Sequence, residues 1–297
     1  MPALTASRAT LAKNWLSVAR ETRGVRLTLE KAKTAGDKNT VKANKKYCKE
    51  KISTHGKHES LVLPTLHLLE HDEKRAAYSA HMLGKHTQVA FGTINAIANP
   101  RFTSVFEKFK EASITSLRHN ELCSTAFARR LNGNAVMKNR VDAKDLLQQA
   151  ANALKIIRTI EPEVECDKRA RFIKTDPALF YQMVFDGLEN ARKAVEAKYG
   201  PGNDGLDKKR IKLKASLTPT GEFKVEIEDN GIGVSEEQIE NGKSCWPVGL
   251  FPEDTGFGAK TIRENLSQLG GEKRIQGKPD GGAVLTLTLP QKRRLAA

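Results

Sequence analysis

Three short segments of this chain combine residue types suited to holding a phosphorylated ligand. Glu228-Asp-Asn-Gly-Ile-Gly-Val234 puts a carboxylate, Asp229, at the end of an apolar alternating stretch, with Gly231 and Gly233 behind it. Glycines at such a turn let the backbone approach a ligand closely. Thr255-Gly-Phe-Gly-Ala-Lys260 puts Gly256 and Gly258 where a helix opens. The unpaired N–H groups of a helix N-terminus attract phosphate. Leu188-Glu-Asn-Ala-Arg-Lys193 reads as helical, with Asn190 offering an oxygen to a magnesium ion and Lys193 following one turn later. A lone glycine pair is a common turn. The three segments in this order describe a nucleotide pocket.

The elements that must position these groups are legible around them. Asp176 and Pro177 are a cap and first residue for a helix over 176–198, which carries Asn190. Strands are predicted at 171–174, 210–216, 223–227, 273–276 and 284–289. Further helices are predicted at 142–157, capped by Asp142, and at 260–269, with Gly/Pro/Asp punctuation over 199–208 and a long connecting segment over 234–254. Strands segregated from helices make the fold class α+β.

The first half of the chain reads differently. Leu11, Trp15, Val18, Val25 and Leu29 recur at helical spacing over 5–34, weakened by Gly24, and 40–52 is a second basic helix. An apolar stripe runs over 64–98 through Leu66, Leu69, Ala76, Ala80, Leu83, Ala90, Ile94 and Ile97 until Asn99-Pro100 stops it. A second helix over 102–131 carries Phe106, Phe109, Ala112 and Leu117. Such a hairpin cannot bury its stripe alone, so a symmetric four-helix homodimer is the natural solution. The expected division is a basic helical region at 1–58, a helical-hairpin dimerisation domain at 59–134 and a nucleotide-binding domain at 135–297.

Hydrophobic and charged contents of 39% and 29% fit a globular protein with a sizeable core. No apolar run reaches membrane-spanning length and no signal-peptide pattern opens the chain. Four cysteines without CxxC spacing read as reduced thiols, so the expected location is the cytoplasm. The net charge is +15, and residues 1–58 hold 14 Lys/Arg against 4 Asp/Glu. This region reads first as a solvated helical arm and second as a surface for an acidic partner, nucleic acid or anionic lipid. Its aromatics are only Trp15 and Tyr47, which offers single strands no stacking platform.

The segment from about Val164 to Pro290 resembles the ATP-binding (Bergerat-type) domain shared by sensor histidine kinases, gyrase, MutL and the ninety-kilodalton heat-shock chaperone. The stretch Leu269-Gly-Gly271, Gly277-Lys-Pro-Asp-Gly-Gly282 and Ala283 to Pro290 is most similar to the histidine-kinase branch. The resemblance implies ATP with Mg²⁺, Asp229 accepting from the adenine amine, Asn190 on the metal, Lys193 aimed at the phosphates, and Gly256 and Gly258 in a second glycine box. Phe251-Pro252 matches a phenylalanine box within the lid. Two departures stand out. Asp186 occupies a place where this branch carries asparagine; it is either a general base that activates water or a surface acid. Ala283 stands where the family often has a hydroxyl residue.

The resemblance also implies phosphoryl transfer to a histidine on the hairpin, then to an aspartate of a response-regulator receiver domain. His81 lies 109 positions before Asn190, and His81-Met-Leu-Gly-Lys-His-Thr-Gln-Val-Ala-Phe-Gly92 is similar to the family's histidine box. Met82 replaces the usual adjacent acid. His71, with Asp72 beside it, and His86 are the alternatives, as is no phosphorylated histidine at all. His119 lies too close to Asn190. A second reading of the whole chain is a nucleotide-switched ATPase acting through Asp186, and a third is a non-enzymatic scaffold on the same fold.

Overall fold

Short polar caps set several helix ends in the computed structural model, which describes residues 2–47, 86–132, 136–235 and 257–291. The chain divides into two compact units, Met1–Ala135 and Val136–Ala297. No helix among the described residues is long and apolar enough to cross a membrane.

The first unit is helical: α1 (Pro2–Glu30), α2 (38–47), α3 (86–97), a 3-10 turn (Pro100–Val105) and α4 (Phe106–Asn132). Asp37 caps α2: its carboxylate accepts from Thr40 N at 2.8 Å, Lys33 N at 2.6 Å and Thr34 N at 3.2 Å. Burial opposes ionisation there, but these N–H groups and the Thr40 hydroxyl win and hold the carboxyl well below the usual range. Gly36, at φ +71, turns the loop so that its N–H reaches Ile97 O at 2.8 Å and satisfies the end of α3. The next α-helix starts later than expected. Asn99 caps and Pro100 opens a 3-10 turn, so α4 proper begins at Phe106.

The part of the hairpin's stripe within the described residues is buried inside this unit, while Leu66, Leu69, Ala76, Ala80 and Leu83 lie outside them. Ala90, Ile94 and Ile97 of α3 and Phe106 and Leu117 of α4 share one core with Val25 and Leu29 of α1 and Ala43 and Tyr47 of α2. A second cluster seats Trp15 edge-on against Phe127, ring centroids 4.9 Å apart. The described part of the basic region, read as an arm, is therefore packed against α3 and α4 and covers Ala90, Ile94 and Ile97. Gly24, read as a weakness of α1, is a seat: a Cβ there would lie 2.4 Å from Lys46 Nζ of α2.

Charge is buried along the same contact. Arg26 Nε donates to Glu121 at 3.0 Å, and Arg118 reaches the other carboxylate oxygen at 3.1 Å. Between α3 and α4, His86 and His119 are both buried and stacked with ring centroids 3.8 Å apart. His86 Nδ1 lies 3.3 Å from Ser116 Oγ.

The second unit is a five-stranded sheet covered by helices. Its strands are β2 (Glu163–Cys166), β4 (Ile211–Leu217), β5 (Phe223–Asp229), β6 (Glu272–Gly277) and β7 (Ala283–Leu289), in the order β2-β4-β5-β7-β6. Only β2 against β4 is parallel. A two-stranded sheet pairs β1 (Asn139–Asp142) with β3 (Phe172–Thr175). Neither β1 nor β2 is predicted from the sequence: each has four residues, too few to establish alternation. The helices are α5 (Ala143–Arg158), α6 (Pro177–Tyr199) and α7 (Phe257–Leu269). Asp142 and Asp176 cap α5 and α6 as expected, Asp176 accepting from Ala178 N at 3.0 Å and Leu179 N at 3.2 Å. Gly187 sets α6 onto the sheet, since a Cβ there would lie 2.5 Å from Ile227 and 3.1 Å from Leu285.

The histidine pair gives a pH prediction. Burial, and then the neighbouring His86, hold His119 well below the usual imidazole range. The unfolded chain then binds protons more readily, so stability is full above about pH 6.5 and falls as pH drops through that value. Urea midpoints reported by Trp15 fluorescence in a Trp246→Phe background are expected to fall on acidification, and His119→Gln should flatten the dependence. An unchanged midpoint from about pH 7.5 to 5.5 would show that the pair titrates normally.

Candidate functional site

One stripe of α6 meets both glycine motifs. Asp186, Asn190 and Ala194 recur at four-residue spacing, with Lys193 beside them, so all lie on adjoining parts of one helix face. At Ala194 the turn after β5 presses onto the helix. A Cβ on Gly231 would lie 2.3 Å from the Ala194 carbonyl carbon, and Ile232 N donates to Ala194 O at 3.2 Å. At Asn190 the start of α7 comes in, a Cβ on Gly258 falling 3.2 Å from Asn190 Oδ1. Only glycine fits either place without displacement. The structure thus brings Asp229, Gly231, Asn190, Lys193 and Gly258 to one end of α6. Gly233 sits at φ +82 in the same turn.

Asp229 ends β5 on its helix-facing side and is 6% exposed. Its Oδ1 accepts from Gly231 N at 2.8 Å. Burial pushes the carboxyl up to about 6, against the opposing pull of the Gly231 and Ala283 N–H groups. A half-desolvated carboxylate of this kind is a strong acceptor for an amine that enters the pocket. Its neighbour Glu228 points to the other face and pairs with Lys278.

Asp186 is 3% exposed and Lys193 5%, while Asn190 is partly open. The reading of Asp186 as a surface acid is thereby corrected: the helix is covered on this side. The next face of α6 is a separate ion network. Arg192 donates to Glu189 at 2.8 Å and pairs with Glu196, and Arg158 of α5 lies 3.7 Å from Glu189. This network ties α6 to α5 on a face beside the Asn190 stripe.

A magnesium ion fits these residues. Asn190 presents an oxygen in a cradle that a Cβ at 258 would fill, and hard oxygen donors are what the ion takes. No cluster of three or more metal-ligating side chains exists among the described residues. Such a set suits an ion that keeps waters and draws its other ligands from nucleotide phosphates.

Three sets of contacts around the site were not foreseen, although two of the stretches that make them carried the resemblance. Gly281 and Gly282, both at φ +87, lie under Asp229, where a Cβ on Gly282 would fall 2.1 Å from Asp229 O. Their signal was the Gly-Gly pair between two strands, a turn mark without a stated partner. Asn230 pins the turn, its side chain bonding Arg210 N at 2.9 Å and Lys208 O at 2.8 Å. Lys198 Nζ donates to Asn230 O at 3.0 Å. His81, His71, Gly256 and Phe251-Pro252 lie outside the described residues. His86, an alternative acceptor, is fully buried against His119 and is not placed to receive a phosphoryl group.

Two outcomes follow for nucleotide binding. Affinity for a fluorescent ATP analogue is expected to decline as pH falls through about 6, where Asp229 takes up its proton, and to be lost in Asp229→Asn. Gly231→Ala drives a methyl into the α6 backbone, so it should lower stability by about 1–3 kcal/mol and weaken the analogue about tenfold or more. Calorimetry and analogue titration check both, and unaltered binding in Gly231→Ala would mean the turn is slack.

Comparison with known proteins agrees with this geometry. Residues 175–293 match the family described as Histidine kinase-, DNA gyrase B-, and HSP90-like ATPase. The sensor protein CitS of Halalkalibacterium halodurans is 31% identical over 117 residues, which is 38% of this chain. That match covers 20% of CitS, so the chain spans about a fifth of this relative's length. Similar solved chains include a mycobacterial sensor histidine kinase, MprB, at 18% identity and TM-score 0.41, covering 52% of this chain and 97% of that one. The histidine kinase domain of a blue-light activated kinase of Erythrobacter litoralis is 16% identical, with TM-score 0.41, covering 71% of this chain and 95% of that one. The likeness rests on the family match and the glycine-lined site rather than on these overlays: residues 175–293, within the second unit, are similar to the ATPase domain described for histidine kinases, DNA gyrase B and HSP90.

Proposed function

We propose that this chain is a cytoplasmic protein histidine kinase that binds ATP with Mg²⁺, phosphorylates its own hairpin and passes the group to a response-regulator receiver domain. The observation that carries this reading is the convergence of the Asp229 turn and the Gly258 helix start on the Asn190 stripe of α6. Asp229 would hold the adenine amine, Asn190 the metal, and Lys193 with the N–H groups at the start of α7 the phosphates. The metal would supply charge neutralisation at the transferred phosphate. The β–γ phosphoanhydride bond breaks as a bond to an imidazole nitrogen forms, ADP leaves, and the ring proton passes to solvent. His81 is the proposed acceptor. The lid segment would close over the nucleotide and exclude water. Dimerisation through the hairpin belongs to the same reading and would use hairpin residues other than those covered by α1 and α2.

A second reading has its own support in the buried position of Asp186, one turn before Asn190 on the same face. A carboxylate there can activate water, making the protein a nucleotide-switched ATPase that signals by conformational change. Incubation with γ-labelled ATP and Mg²⁺ separates the two. Label on the protein that survives alkali and is lost in acid is expected, and His81→Ala should abolish it. Persistence of label in His81→Ala would remove that residue from the role. Free phosphate with unlabelled protein, lost in Asp186→Asn, would establish the ATPase instead.

A further inference from the structure

The helical unit carries a row of cations that no carboxylate among the described residues neutralises. Along α1 and at the residue just past its end, Lys13, Arg20, Leu27 and Lys31 fall within about 40° of one another around the helix axis, and all four are exposed. Lys13 and Lys31 are about 27 Å apart along that axis. On α2, Lys38, Lys42 and Lys45 form a second exposed row. The two helices touch where Lys46 lies over Gly24, so the rows belong to one surface. Residues 12–47 contain ten Lys/Arg and three carboxylates, and each carboxylate is engaged. Glu21 accepts from Ser17 at 2.9 Å, Glu30 is paired with Arg26, and Asp37 is spent on the cap of α2. Among the described residues, no ion pair involves Lys13, Arg20, Lys31, Lys33, Lys38, Lys42 or Lys45.

We infer that this surface binds the phosphate backbone of duplex nucleic acid without reading its sequence. A rigid, straight row of mobile cations suits a regular line of phosphates and releases their counterions. Other polyanions fit less well. Among the described residues the apolar side of α1 is in the core and Leu27 is the exposed large apolar side chain of this surface, which offers no apolar face to a membrane there. A protein partner would want aromatic or apolar anchors, and Trp15 and Tyr47 are both buried. The same burial removes any platform on which single-stranded bases could stack.

The test is fluorescence anisotropy of a labelled duplex with the full chain, titrated across salt. If about six phosphates are neutralised, affinity falls on the order of a thousandfold from about 50 to 200 mM salt. Two triple variants, Lys13→Gln/Arg20→Gln/Lys31→Gln and Lys38→Gln/Lys42→Gln/Lys45→Gln, should each lower the slope of log affinity against log salt by about three. All six positions are exposed, so circular dichroism should be unchanged. The control Lys144→Gln/Lys168→Gln/Lys174→Gln removes three exposed cations from the other unit and should leave the slope alone. No duplex binding at low salt overturns the inference, as does an equal loss in the control. Equal affinity for polyglutamate would make the surface a generic acid-protein contact, and binding to phosphatidylserine vesicles but not duplex would make it a membrane contact.

Discussion

The approach of backbone to backbone at Gly231 and Ala194 governs the second unit. At this distance a single methyl is excluded, so β5, its turn and α6 form one rigid corner. The corner aims Asp229 inward and fixes where the amide of Gly231 can donate. One turn earlier on the same helix, Gly258 comes close to the side chain of Asn190. A helix that must accept two close glycine approaches on one face, one of them at its backbone, needs firm support on the others. Arg192, Glu189, Glu196 and Arg158 supply it on one side, and Gly187 seats it on Ile227 and Leu285 below.

The first unit solves a different problem. Its four described helices hold charge in their contacts as well as apolar surface. Glu121 lies between Arg26 and Arg118, and two imidazoles stack between α3 and α4. Removing one member of such a set leaves a buried charge or donor uncompensated, which costs more than the set contributes while intact. Contacts of this kind fix which helix faces which, whereas an all-apolar seam tolerates sliding.

Local signals were legible in the sequence and distant ones were not. Asp142 and Asp176 announce helix starts because capping depends on residues two or three positions away. The Asp229 and Asn190 segments were readable because glycine and carboxylate types mark what a ligand needs. β1 and β2 escaped notice because their partners, β3 and β4, lie far along the chain and their own residues alternate poorly. Periodicity showed that α3 and α4 had a face to cover, but not that α1 and α2 would cover it. Gly24 and Gly282 show the same limit: a glycine declares missing bulk, and only the fold says whose atoms fill the space.

Helix α6 is buried along nearly its whole length, including charged residues that elsewhere would face solvent. It is at once the spine of the core and the wall of the pocket. Substitutions along it cannot separate folding from ligand affinity, because the same side chains report to both. Drift that silences the pocket while sparing the protein has therefore to accumulate off the helix, at the polar side chains of the turns that lean on it rather than at glycines whose bulk the fold excludes. A relative that keeps an intact α6 but has altered turns would be a protein that retained the architecture after giving up the nucleotide.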